Sequence, residues 1–500
     1  MPLTMSDIES IRAQSAPLPS TVAPYTCSDF FKSPHNKNKP PSKPINHHFS
    51  IESSGFTGSA LKKLGNSLGG RKVISLATGR PTADYYPWES VTFEGSSLGL
   101  QQTSNGIEAA VQTVRKYGDV YTLSTALNYG HGAGCPSLVR FLTEHVEMVH
   151  DPPYADWEVC LSSGSTAAFE IALRIFCNRG DIVLAEKQTY PGSIEAAGLV
   201  GVQFEGLKMD AEGLMADALQ SALTEWDASR GPKPRVLYTI PTGHNPTGAT
   251  QSTERRQQIY GIAEEHDLII IEDDPYYFLR MGSYHPGQEA SIESSGNLPS
   301  YVSLDRSGRV VRLDSTSKLL APGLRAGWVT ASAQIINKFI SYHEVTTGAV
   351  SGPSQLMLWT LLEQSWGHRG FGSWLDHLSS EYRCRRDIML SACGEYLPEV
   401  CDWVPPEYGM FVWIRLDWKK HPLFRGMEIE ESDILLAGIA ERINLNAIAN
   451  GVQVTKGFLF SPNMKPNGEL QFRMTFAAAA RTELEEGVRI FGDVVRKEFS

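Results

Sequence analysis

The stretch VVRLDSTSKLLAPGLRAGWVT, Val310 to Thr330, decides how the rest of the chain is read. A short β-branched run ends in Asp314-Ser315-Thr316-Ser317-Lys318, and Arg325 follows the lysine by seven residues. Small hydroxyls, then Pro322 and Gly323, turn a strand into an irregular loop. Lys318 then sits just past the carboxyl end of a strand, where open α/β sheets hold their ligands. Two hydroxyls and a guanidinium beside it make an anion cradle. A lysine in that setting suits imine chemistry with a phosphorylated aldehyde cofactor; a plain loop lysine is the competing reading.

Short runs that are apolar throughout recur around this stretch: EVCLSS (158–163), DIVLAE (181–186), RVLYTI (235–240), LIIIED (268–273) and AGWVTA (326–331). Helical patterns fall between several of them, at Thr166 to Asn178 and Ser252 to His266. Such runs separated by helices predict a buried, mostly parallel sheet. The fold class is therefore α/β, a doubly wound domain over residues 126–345, with a polar surface insertion from Gly282 to Gly308.

Beyond it, helices are expected at Gln355 to Gln364 and Gly372 to Leu390. Strands follow in GMFVWIRL (409–416), VQVTKGFLF (452–460) and LQFRMTFA (470–477), and a last helix at Thr482 to Lys497. These give a smaller α+β domain over 346–500. Residues 1–50, rich in Pro, Ser, Asn and Lys, read as a flexible arm that buries little unless it lies along a partner. Lys32, Lys37, Lys39 and Lys43 read as a solvated linker. From Val73, VISLATGRPTADYYPW reads as a strand or extended loop, and Ile107 to Tyr117 as an amphipathic helix. The glycines of LNYGHGAG (127–134) lack the preceding strand that a dinucleotide fingerprint requires.

Composition narrows the function. A net charge of -11 argues against nucleic acid as a partner, because phosphate binding needs clustered Lys and Arg. The seven cysteines are scattered, with no C-x-x-C pair, which favours a reducing compartment over a disulfide framework or zinc site. No apolar run reaches the roughly 18–20 residues of a membrane span, and Asp7 and Glu9 speak against a transit peptide. A cytoplasmic location is expected.

The other strand ends add partners for the lysine. Ser162-Ser163-Gly164-Ser165-Thr166 precedes an apolar-periodic helix, which makes either an anion site at a helix amino terminus or an ordinary cap. Tyr190 stands at the next strand end, as packing or as a ring contact. RVLYTI leads into Pro241-Thr242-Gly243-His244-Asn245-Pro246-Thr247-Gly248, a stiff loop that aims one amide. LIII runs into Glu272-Asp273-Asp274, acids that need a positive partner if buried. A protonated pyridine ring is one such partner; a metal ion is the weaker reading, because no His or further acid lies at ligand spacing.

The series Gly164-Ser165-Thr166, Tyr190, Asn245-Pro246-Thr247-Gly248, Asp273-x-Pro275-Tyr276, Ser315-x-x-Lys318, Arg325 and Arg473 resembles the fold-type I pyridoxal-phosphate aminotransferases. Within them the chain looks most like the aromatic and kynurenine/2-aminoadipate group, with IEDDPYYFL and SKLLAPGLRAGW similar to the fungal aromatic enzymes. The resemblance covers roughly residues 70 to 500. It implies that Lys318 forms the internal aldimine with pyridoxal 5'-phosphate and moves the α-proton. Asp273 would pair with the pyridine nitrogen, Asn245 and Tyr276 would bond the phenolic oxygen, and Tyr190 would stack on the ring. Ser165, Thr166, Ser315, Ser317 and Arg325 would hold the phosphate. Tyr129 would reach the phosphate of a second subunit, implying a homodimer with shared active sites, and residues 51–125 would contribute to the small domain and to dimer contacts. Arg473 would grip the substrate carboxylate. Several relatives have Gln at the position of Thr166, and Arg80 fits either a substrate carboxylate or solvent.

The implied reaction is ping-pong transamination between an aromatic or related large L-amino acid and 2-oxoglutarate. Its alternatives are 2-aminoadipate or kynurenine as donor, and a pyridoxal-phosphate lyase or decarboxylase. A serine hydrolase reading of Ser315-x-x-Lys318 lacks its companion motifs. An aminotransferase-like transcription regulator would need a basic helix-turn-helix ahead of residue 70, where the chain is irregular and Pro-rich.

Overall fold

Side chains that are apolar on both faces of a strand need cover on both sides, and the strands formed by the apolar runs have it. A computed structural model describes residues 3–60, 79–95, 110–118, 120–287, 298–424 and 432–500. The apolar start of VISLATGRP, the first residues of the helix expected from Ile107, and residues 288–297 of the polar insertion lie outside them.

In chain order the strands are β1 (Ser90–Gly95), β2 (Ala110–Arg115), β3 (Trp157–Ser162), β4 (Ile182–Glu186), β5 (Gln203–Leu207), β6 (Met209–Asp210) and β7 (Gly213–Leu214). Then come β8 (Val236–Thr239), β9 (Ile269–Asp273), β10 (Val310–Ser315), β11 (Gly327–Ser332), β12 (Cys401–Asp402), β13 (Phe411–Leu416), β14 (Thr455–Lys456) and β15 (Leu470–Thr475). A seven-stranded, mostly parallel sheet has the order β3-β11-β10-β9-β8-β4-β5. Strand β4 runs parallel to both β5 and β8, whereas β11 is antiparallel to β10 and β3. β3, β8, β9, β10 and β11 are buried along their whole length. The sheet thus has the expected α/β class, with the helices Ser165–Phe176 and Thr253–Glu265 where the periodicity predicts them. The edge strand β5, QFEGL, has no apolar run to announce it.

The chain forms two compact units. The first comprises residues 1–178, 269–271 and 299–375; the second comprises 179–268, 272–298 and 376–500. These bounds differ from a division of the sequence at 126 and 346. In the second unit, β12-β13-β15-β14 form an antiparallel sheet. Only Thr455–Lys456 of VQVTKGFLF is strand, and Gly457–Phe460 closes into a 3-10 turn. The closing helix, Arg481–Glu498, packs its buried face through Phe491 against Phe472 of β15.

In the first unit two expectations give way. The segment read as a helix from Ile107 is strand β2 where it is described, paired antiparallel with β1 and joined by a hydroxyl bond between Thr92 and Thr113. Val114 and Lys116 are buried while Val111 is half exposed, a period of two that β-branched residues favour over a helical turn.

The arm also departs from its composition, because it folds against its own unit. Helix Met5–Gln14 is closed by a capping box at Thr4 and Asp7. Ser28, Asn36 and His48 are buried. Ser28 N donates to Glu158 Oε2 at 2.5 Å, Ser42 N to Asp156 Oδ1 at 2.6 Å, and Trp157 Nε1 to Asn36 Oδ1 at 3.0 Å. Two lysines expected to be solvated are tethered instead. Lys32 lies over the Trp157 ring and donates to the Ala155 carbonyl, and Lys39 bonds Asn36, Asp151 and the Pro152 carbonyl. Body carboxylates and carbonyls accept from donors of the arm, and Asn36 of the arm accepts from Trp157, so polar composition here marks complementarity and not disorder.

Arg12 fixes the first helix through Glu144 and Glu363, at 2.5 and 2.9 Å, and His368 Nε2 also meets Glu144 at 2.8 Å. Burial raises the Glu144 pKa, but hydrogen bonds from Arg12 and His368 outweigh it and leave the carboxyl below its ordinary value. Its stabilising effect is therefore complete at neutral pH and is lost as pH falls through that lowered value. Arg12→Ala should destabilise the protein by about 2 kcal/mol, between exposed and fully buried pairs, since Arg12 is partly exposed and both acids keep a second partner. Urea unfolding of Arg12→Ala, Glu363→Gln and the double variant measures it, and additive losses would show that the pair is not coupled.

Candidate active site

The first unit holds the lysine and an anion-binding group. β3 ends at Ser162, and Gly164 adopts φ +98° before the helix Ser165–Phe176 begins. A Cβ on Gly164 would lie 2.8 Å from Arg325 Nη2, so only glycine leaves room for the guanidinium. The amides of the first helical turn have no intrahelical acceptor and carry the positive end of the dipole. Ser165 is half-buried and Thr166 exposed.

β10 delivers the other half of this group. Ser315 is its last residue and is buried, and its Oγ accepts from Ser317 N at 3.2 Å. Lys318 follows in an irregular turn and is half-buried. Thr316 ties that turn inward, donating to the Ala326 carbonyl from N (3.1 Å) and from Oγ1 (2.8 Å). Arg325, exposed and left-handed at φ +46°, donates to Pro322 O at 2.9 Å, Ser163 O at 3.3 Å and Ser317 Oγ at 3.5 Å. One guanidinium, two serine hydroxyls and a helix amino terminus thus gather around the lysine turn. Beneath them Arg312 and Asp314, fully buried on one face of β10, pair at 3.0 Å. Tyr129 is 66% exposed in a loop, and Arg80 reaches its neighbour Asn128 Oδ1 at 3.4 Å.

The second unit holds two acids, an amide, three tyrosines and an arginine. Asp273, the last residue of β9, is buried and accepts from Tyr238 OH at 2.8 Å, while Ser193 Oγ donates to that phenol at 2.8 Å. Burial first, then the negative Asp273, push the Tyr238 pKa well up, so the phenol stays a donor to the carboxylate. Beside it Glu186, fully buried, accepts from Thr239 Oγ1, and burial raises its pKa to about 7. Tyr276 is buried edge-on to Phe411 at 5.6 Å, its pKa raised by burial and then by Asp273. The Tyr190 ring lies over Gly192, where a Cβ would come within 2.6 Å of it.

Asn245 Oδ1 accepts from Arg473 Nη1 at 2.9 Å. Arg473 lies between the rings of Phe411 and Phe460, at 4.6 and 4.8 Å, and its Nε has no hydrogen-bond partner. Burial lowers its pKa from the ordinary guanidinium value. The loop carrying Asn245, whose bond to Pro246 is cis, is held from below by Arg256. That fully buried side chain donates to Pro241 O at 3.1 Å and Thr242 Oγ1 at 2.9 Å, and Thr242 in turn donates to Asp274 at 3.0 Å. Gly243 and Gly409, both at positive φ, pass so close that a Cβ on either would come within 2.8 Å of the other's backbone.

Lys318, Ser315, Ser317, Arg325, Ser165 and Thr166 therefore belong to one group, and Tyr190, Asn245, Asp273, Tyr276 and Arg473 to another. Tyr238, Ser193 and Arg256 were missed by sequence reasoning. For Tyr238 a signal existed, because a phenol inside an apolar strand needs a hydrogen-bond partner. The donor sets fit a phosphorylated pyridine aldehyde. The first offers a guanidinium, hydroxyls and a helix amino terminus to a phosphate. The second offers a buried carboxylate to a ring N–H, and an arginine with an unused buried donor to a carboxylate.

Known proteins give the same picture. The family model described as aminotransferase class I and II matches residues 94–491. Aminotransferase swnA of Metarhizium robertsii is 47% identical over 91% of this chain and 92% of its own length. An aromatic amino acid aminotransferase of Schizosaccharomyces pombe is 37% identical over 91% and 98%. The crystal structure of aminotransferase Aro8 from Candida albicans is 35% identical, with a TM-score of 0.83 over 92% of this chain and all of its own.

Proposed function

The chain belongs to the class I and II aminotransferases, and from that membership we propose that it transfers the amino group of an aromatic L-amino acid to 2-oxoglutarate. Enzymes of this family use pyridoxal 5'-phosphate. The observation that carries the reading is the turn at the end of β10, where Lys318 stands among Ser315, Ser317 and Arg325.

When bound, the cofactor supplies an electrophilic carbonyl and an electron-withdrawing ring that stabilises charge at the substrate α-carbon. Ser165, Thr166, Ser315, Ser317 and Arg325 bind its phosphate through charge-assisted bonds. Lys318 would be the residue that attaches the cofactor and the base that moves the α-proton. Asp273 keeps a proton on the ring nitrogen, with Tyr238 fixing the carboxylate. Asn245 and Tyr276 would hold the cofactor through its phenolic oxygen, and Tyr190 would pack on its ring. Arg473 binds the substrate carboxylate, and its bond to Asn245 Oδ1 sets the angle of approach. Tyr129, exposed in the single chain, completes the phosphate site of a second copy, so the working enzyme is a homodimer. We place it in the cytoplasm, a reading supported by the free thiols; among the described residues no helix is long and apolar enough to cross a membrane.

An amino-donor screen with 2-oxoglutarate tests the substrate. Tyrosine, phenylalanine or tryptophan should yield glutamate fastest; turnover confined to non-aromatic donors would overturn the aromatic assignment. Arg473→Lys keeps the charge and loses the planar fork. Charge-assisted bonds contribute about 1.5–3 kcal/mol, so KM for the amino acid should rise roughly 10- to 150-fold while cofactor affinity stays within about two-fold. Titration of cofactor and substrate separately checks the split.

A further inference from the structure

The turn that carries Lys318 is restrained unequally on its two sides. Its inner side is bound to the sheet by Thr316, through two bonds to the Ala326 carbonyl, and closed by Leu320 N donating to Thr316 O at 2.8 Å. On the other side Trp374, from the helix Gly367–Tyr396, donates from Nε1 to the Leu319 carbonyl at 2.7 Å. That carbonyl belongs to the residue directly after the lysine. Beside this bond Leu320, Ala321, Leu324, Trp366 and Trp374 line a groove of about 280 Å³.

The indole that makes the bond is itself held. Trp374 stacks on Trp366, with ring centroids 5.4 Å apart and planes 27° apart. Trp366 is buried and ends the segment Trp359–Trp366, which winds as a π-helix and is set off from the helix Gly367–Tyr396 by Gly367 at φ +59°. Widened turns of this kind are frequent at functional sites.

We propose that Trp374 is a positioning residue for Lys318. Its N–H fixes the Leu319 carbonyl, and with it the backbone from which the lysine amine reaches; Trp366 fixes the indole. The inference rests on the role proposed for Lys318. Trp374 acts through the backbone of Leu319, and its effect is to keep the amine aligned for proton transfer, where small misplacements are costly.

Trp374→Phe removes the N–H and keeps a ring against Trp366. One hydrogen bond of about 0.5–1.5 kcal/mol corresponds to a fall in kcat of roughly 2- to 13-fold. KM for the amino donor and the thermal midpoint should stay near wild type. In the resting holoenzyme, the pH midpoint of the cofactor's visible absorption should move, because the amine is held less firmly. Unchanged kcat and unchanged pH midpoint would overturn the proposal. So would a loss of kcat that tracks a loss of thermal stability with the spectrum intact, which marks a purely structural tryptophan. Should Trp374→Phe not fold, Trp366→Phe gives the test, with the same signature at smaller size expected and its absence counting against the idea. Failure of the Lys318 assignment itself reads differently: Lys318→Ala would then retain borohydride-fixable cofactor.

Discussion

Replacing Lys318 with alanine should abolish turnover, with kcat falling by about four orders of magnitude. General base catalysis alone contributes roughly 10²–10⁴, and loss of the nucleophile removes a second contribution. Phosphate binding should survive, because Ser317, Arg325 and the helix beginning at Ser165 are untouched. The variant should therefore still bind pyridoxal 5'-phosphate, while losing the attachment that borohydride makes permanent. Peptide mapping of the reduced wild type should place that attachment on Lys318. A map placing it on another lysine would end the assignment, as would a wild type that binds no cofactor.

Asp273→Ala should be nearly as damaging. The carboxylate is buried at the end of β9 and oriented by the Tyr238 phenol at 2.8 Å, so it is preorganised before substrate arrives. Removing a preorganised charge partner of a developing transition state commonly costs about 10²–10³ in kcat. The loss should appear in kcat far more than in KM if, as proposed, Arg473 and not Asp273 binds the substrate carboxylate. Tyr238→Phe should show a weaker version, about ten-fold, because the carboxylate stays but loses the donor that fixes it. Steady-state kinetics on the three enzymes tests the order, and equal kcat for Asp273→Ala and wild type would remove Asp273 from the mechanism.

Much of this was legible because the chemistry sits at strand ends. Runs such as LIIIED and VVRLDS carry two signals at once, apolar residues that must be covered and polar residues placed where the strand leaves the sheet. Such a pattern shows both the sheet and the functional candidates. What it could not show is support that arrives from far away in sequence. Arg256 follows Thr242 by fourteen residues and reads as one more charge on an exposed helix. Trp374 reads as core. The arm was misjudged for a related reason: its prolines and lysines look like solvated chain, because the carboxylates that accept their neighbours' hydrogen bonds lie more than a hundred residues on. The hairpin strand β2 went astray locally, where spaced valines fit a helical pattern as well as a strand.

The attachment of Arg12 has a consequence for how the protein is made. Glu363 follows it by 351 residues. With synthesis at roughly 5–20 residues per second, about 20–70 s separate the emergence of the first helix from that of its second partner. During that interval the helix has Glu144 as a partner but no dock on Glu363. Completion of the first unit is then a late event on the ribosome, governed by the arrival of the segment around Glu363 and not by the order in which the chain is written.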